Sequence, residues 1–152
     1  MSRTLLLLDL LNEIETCLDG AGLDLKVLDR IGNLLDCTPE TLKSRGVTVQ
    51  SLSTLNLGGS EAGDRDRAFA RVEDSVLVQM AYRIVPSKQK ATRNEALLLE
   101  EQIRKVLTSR AWSTSSYARY QSTTRGLVTA DRSWWVAALT FTIRRGAALG
   151  GG

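Results

Sequence analysis

The sequence predicts an α+β domain: a mixed or antiparallel sheet of about four to five strands, a main helix packed on one face, and an N-terminal helix. Three observations point there. Val76, Val78, Met80, Tyr82 and Ile84 alternate with Leu77, Gln79, Ala81, Arg83 and Val85. Near the end, Trp135, Ala137, Leu139, Phe141 and Ile143 alternate with Val136, Ala138, Thr140, Thr142 and Arg144. Period-2 runs of this kind put one set of side chains on each face of a sheet. Between them, residues 92–107 carry apolar side chains at helical spacing, enough to cover one face.

The elements follow in order. Thr4 to Leu18 reads as a helix, with Leu7, Leu11, Ile14 and Leu18 on one stripe. Gly20 and Gly22 stop it. Leu23, Leu25 and Val27 alternate with Asp24 and Lys26, as in a short strand. Ile31 to Asp36 fits neither period. Thr38-Pro39 suits the start of a short helix, Thr38 as N-cap and Pro39 at the first position, with Gly46 ending it.

Val47 to Leu57 is the next strand. Val47, Val49, Ser51 and Ser53 share one face; Thr48, Gln50, Leu52, Thr54 and Asn56 share the other. Gly58 to Ala70 is a polar connection containing Asp64-Arg65-Asp66-Arg67, and it joins two strands able to pair as a long hairpin. Connections this long are often functional or disordered. Arg71 to Val85 has room for a bulge near Glu73-Asp74-Ser75. Such a strand spans roughly 50 Å, so part of it is expected to project beyond the body. Pro86 ends it.

Thr92-Arg93-Asn94-Glu95 fits a capping box. Ala96, Leu99, Ile103, Val106 and Leu107 form the stripe expected to be buried, widened by Leu97 and Leu98. Glu100 with Arg104 and Glu101 with Lys105 are i,i+4 pairs expected on a solvated face. In Ser116 to Arg125, Tyr117, Arg119, Gln121, Thr123 and Arg125 line one side of a polar strand. Gly126 to Asp131 reads as a turn into the last strand, Ser133 to Arg145. The organisation is therefore one domain over 1–145, with a long loop at 58–70 and a glycine-rich tail at 146–152 expected to be mobile.

Composition narrows the chemistry. The chain has 152 residues, 43% hydrophobic and 24% charged, with a net charge of +3 and a pI near 9.1. That length buries a core without metal or disulfide. Absence of histidine excludes Ser-His-Asp and Cys-His catalysis and every histidine-containing metal site. Cys17 and Cys37 are too few for a four-cysteine zinc site, and reduced, buried thiols are expected. Leu5 to Leu8 is cut short by Asp9 and Asn12, unlike a signal peptide, and no run approaches the roughly 18 apolar residues of a membrane span. An intracellular, soluble product is expected.

No catalytic, cofactor-binding or metal-binding residues are expected. Asp64 and Asp66 alternate with Arg65 and Arg67, which suits a self-neutralising loop better than a calcium site. Gly58-Gly59-Ser60 lacks the phosphate-loop pattern. Arg119, Arg125, Arg132, Arg144 and Arg145 mix with Tyr117, Tyr120, Trp134 and Trp135. That mixture suits a core, a protein interface or a single-strand nucleic-acid surface. Trp134 and Trp135 face opposite sides of a regular strand, so at most one of them need belong to the core. The other is an interface candidate, or lies under a helix on the second face. The candidate interface set is Asp64, Arg65, Asp66, Arg67, Arg119, Arg125, Trp134, Arg144 and Arg145.

The order of helix, strand pair with a long connection, helix and two closing strands resembles the tail terminator proteins of tailed bacteriophages. The resemblance rests on Arg71–Val85 as the strand before the main helix and on Glu95–Leu107 as that helix. Arg119-Tyr120 and Ser133–Arg145 are similar to the closing strands. It covers the C-terminal half, and Thr4 to Leu57 only in outline. It implies a non-enzymatic virion subunit in the tail-neck region, assembled in the host cytoplasm. The subunit would form a homo-oligomeric ring, typically a hexamer, that caps the tail tube, stops its polymerisation and joins tail to head. The partners implied are the tail tube protein, a neck or head-completion adaptor, and a sheath protein if the tail is contractile. DNA would pass through the ring without specific binding, and no cofactor is implied. The other readings are a different neck or head-tail adaptor protein and, in another class, a small nucleic-acid-binding module. A contact from Gly58–Ala70 to a neighbour or to the tube is also expected.

Overall fold

The computed structural model describes residues 6–37, 42–58, 69–128 and 132–148. Alternation builds a five-stranded sheet in the order β1-β2-β3-β5-β4. The strands are β1 (Lys26–Val27), β2 (Gly46–Asn56), β3 (Phe69–Arg83), β4 (Arg119–Val128) and β5 (Trp134–Ala148), with helices α1 (Leu7–Asp19) and α2 (Gln89–Thr108). β1 runs parallel to β2 and every other pairing is antiparallel. The α+β expectation holds, with a mixed sheet.

Both helices lie on one face. Leu10, Ile14 and Leu18 of α1 and Ala96, Leu99, Ile103 and Leu107 of α2 pack on Val76, Val78, Met80, Ala137, Leu139, Phe141 and Ile143. The pleat supplies that set: even positions of β3 stand opposite odd positions of β5, as in Val76 with Phe141 and Val78 with Leu139. Burying one large apolar side chain here contributes about 1.5–3 kcal/mol. A smaller cluster of Leu34, Leu42, Ala81, Trp134 and Val136 lies on the opposite face, where the β1–β2 connection crosses it.

Several expectations are corrected in detail. The buried stripe of α1 is Leu10, Ile14 and Leu18, so Leu7 and Leu11 lie at its margin. Only Lys26–Val27 of the first strand forms a ladder, and Leu34–Asp36 is a single 3-10 turn. Thr38-Pro39 lies outside the described residues, and Gly46 opens a strand rather than closing a helix. A Cβ on Gly46 would come within 2.9 Å of the Lys43 carbonyl and 3.0 Å of Leu28, so the close crossing there requires glycine.

The bulge sits across the ladder from its expected place, at Leu52 between Ser51 and Ser53 of β2. One extra residue inverts the alternation beyond it, so Thr54 and Asn56 join the face of Val47 and Val49. A second irregularity between Tyr120 and Ser122 does the same in β4 and places Tyr120, Thr123 and Arg125 on the helix face. The main helix has no capping box. It starts at Gln89, so Thr92 lies inside its first turn, where the hydroxyl donates to the Lys88 carbonyl at 2.8 Å. β5 runs on to Ala148, so Gly146 belongs to the sheet and not to a tail. Cys17 and Cys37 are free but only half-buried.

Candidate assembly surfaces

Among the described residues, three of the four cationic candidates have carboxylate partners. Arg125 donates through Nε to Glu100 Oε1 at 2.7 Å, and Trp135 donates its indole N–H to Glu100 Oε2 at 2.7 Å. Glu100 therefore ties α2 to both closing strands with a side chain only 5% exposed. The expectation of a solvated Glu100 paired with Arg104 is overturned. Arg104 pairs with Glu101 instead, at 2.6 Å. Burying a carboxylate is costly unless it is ion-paired and hydrogen-bonded, and Glu100 has both partners.

Arg144 pairs with Glu73 across the β3–β5 ladder at 3.2 Å, on the face away from the helices. Arg145 pairs with Asp74 on the helix face, where Asp74 is fully buried and also accepts from the Thr54 hydroxyl. Thr54, Asp74 and Arg145 clamp three adjacent strands where the hairpin leaves the helical cover. Trp134, proposed for an interface, is 5% exposed. It packs in the second cluster with the Arg83 guanidinium 5.8 Å from its ring, so it belongs to the interior. Arg119 is exposed on β4. Asp64, Arg65, Asp66 and Arg67 lie outside the described residues. Among the described residues, these candidates do not form one cluster.

The unfilled surface lies elsewhere. β1 pairs only with Gly46 and Val47, so from Thr48 onward β2 has no described strand on its outer side. β4 forms the opposite edge. Leu52, Leu55 and Leu57 are exposed along the outer half of β2. A cavity of about 410 Å³ opens beside the start of α2, lined by Lys90, Arg93 and Arg132 around Ile84, Leu127 and Trp135. A hollow of about 700 Å³ beside α1 and β1 is lined by Leu8, Leu11, Glu15, Asp29 and Ile31.

Two glutamines missed from sequence hold the loop that borders the second of these surfaces. Gln79 Oε1 accepts from the Leu34 amide at 3.0 Å, and Gln79 Nε2 donates to Asn33 Oδ1 at 2.7 Å. Gln50 Nε2 donates to the Gly32 carbonyl at 2.7 Å. The only sequence signal was a pair of amides in strand interiors. Among the described residues no group of three or more potential ligands is placed to hold a metal ion, and no helix is long and apolar enough to cross a membrane.

No protein-family model matches the chain, and no curated protein matches its sequence.

Proposed function

We propose that this chain is a structural, non-enzymatic virion subunit of the tail terminator kind. In this reading it forms a ring, typically of six copies, in the tail-neck region. The ring caps the tail tube, halts its growth and joins it to a neck adaptor, with a sheath protein as a further partner in a contractile tail. DNA passes through it without sequence-specific contacts. The observation that carries the reading is a sheet with its main core on one face and, among the described residues, two unlike open edges, β2 beyond Val47 and β4. Two unlike surfaces on one subunit make heterologous contacts, which generate a ring when the rotation closes. Strand addition at such edges is a common mode of assembly.

A head-tail adaptor of the same neck region shares these features and differs in partner. A nucleic-acid module fits less well. Arg125, Arg144 and Arg145 are already paired with carboxylates, and Trp134 is buried away from any base.

The test is to add the purified chain to polymerising tail-tube protein encoded beside it. The expected result is short tubes with a ring at one end in electron micrographs. Unchanged tube growth with no end-bound particle overturns the terminator reading, and binding to the portal-side adaptor alone selects the alternative. Removing residues 59–68 is expected to leave the fold intact and abolish capping.

A further inference from the structure

Ile31 is 88% exposed at the tip of the loop after β1. Mobile loops often leave an apolar residue in water, but this loop is pinned from beneath. Gly32 is held by Gln50, Asn33 by Gln79, and the Leu34 amide by Gln79 again. Leu34 itself is fully buried in the second cluster. Polar groups from two strands thus fix an isoleucine in an outward position. An anchor fixed in advance loses little entropy on docking, which is the physical advantage of preorganisation.

The surroundings of this knob are acidic. Residues 6–37 contain seven carboxylates and two cations, and Glu15 and Asp29, with the single cation Arg30, line the same hollow as Ile31. The cavity at the start of α2 has the opposite character. Residues 83–93 contain four cations and no carboxylate. Lys90, Arg93 and Arg132 make no ion pair with a described carboxylate, and the cavity wall between them is Ile84, Leu127 and Trp135. Trp135 is held in place there by its hydrogen bond to Glu100.

We infer that the Ile31 knob of one copy of this chain docks in the cationic cavity of a second copy, with Glu15 and Asp29 meeting Lys90, Arg93 and Arg132. The contact joins two different patches, so it propagates head to tail and leaves one free knob and one free cavity at the ends of any open assembly. An apolar anchor ringed by complementary charge matches the anatomy of protein interfaces. The inference deepens the ring reading and rests on it for the number of copies and for closure, but not for the contact itself.

Mixing two crippled variants tests it. Ile31→Asp destroys the knob and keeps the cavity. Lys90→Glu with Arg93→Glu reverses the cavity and keeps the knob. All three positions are exposed, so both proteins are expected to retain the wild-type circular dichroism spectrum and melting temperature. Sedimentation velocity of the full chain over a concentration series is expected to give self-association in wild type that weakens with salt. Each variant alone should dissociate roughly ten-fold more readily or worse. Their mixture should give one-to-one heterodimers and nothing larger, because a single intact contact remains. A wild type that stays monomeric at every concentration overturns the inference. Variants that associate like wild type, or a mixture that forms no heterodimer, overturn it as well. Six-copy rings on tubes unaffected by Ile31→Asp would reject this contact and keep the terminator reading. Head-to-tail association without tube capping would do the reverse.

Discussion

The two faces of the sheet are built differently. The helix face is a continuous apolar layer running from Leu10 through Phe141 to Ile103, and the Glu100 carboxylate at its edge is paired with Arg125 and Trp135. The opposite face has one small cluster around Trp134 and Val136, beneath a loop fixed by glutamine side chains. Outside that cluster it presents Ser53, Leu55, Glu73, Arg144 and Arg119 to solvent at least in part. Stability is concentrated on the first face, and exposed apolar and charged side chains lie around its margins and on the second. That division lets exposed positions change with little effect on folding.

The largest effect is expected where the apolar layer is deepest. Phe141→Ala should lower stability by about 3–5 kcal/mol in urea unfolding, because the cavity under α2 cannot collapse against a sheet. Asp74→Ala asks how far that face extends along the hairpin. It leaves Arg145 buried without its carboxylate and is expected to cost about 3 kcal/mol by the same measurement. On the second face, Gln79→Ala should cost about 1–3 kcal/mol and should speed hydrogen exchange at Leu34 before the sheet amides respond.

Tyr82→Phe is expected to cost about 1 kcal/mol, because it removes the hydroxyl that donates to Glu95 at 2.7 Å. Burial first, and the Glu95 carboxylate second, push the Tyr82 phenol above its ordinary value of 10.0. The folded state therefore favours the neutral phenol. Its stabilising contribution is complete below the unfolded pKa and is lost as pH rises through the higher folded one. The stability advantage of wild type over Tyr82→Phe should accordingly shrink in alkaline titrations. Leu55→Ser closes the series with an expected change within about 0.5 kcal/mol, since that side chain is exposed.

Strand and helix order was legible because β3 and β5 keep strict alternation on both faces and α2 keeps a helical stripe. The faces of β2 and β4 were not legible past their bulges. One inserted residue at Leu52 or Gln121 reverses the inside–outside pattern without any change in composition. Glu100 looked like a surface residue because its local neighbour Arg104 offered a ready partner. Its actual partners, Arg125 and Trp135, are supplied by strands more than twenty residues away. The capping pattern at Thr92 competed with Pro86, whose turn opened the helical segment earlier. Ile31 had no periodic context at all, and its position depends on Gln50 and Gln79 from other elements.

Hydrogen–deuterium exchange of the full chain at dilute and concentrated conditions tests the division between faces most directly. The account predicts added protection on concentration in residues 28–33 and at the start of α2, with the amides of β3 under the helices unchanged. Protection that rises uniformly, or that does not rise in either segment, would contradict it.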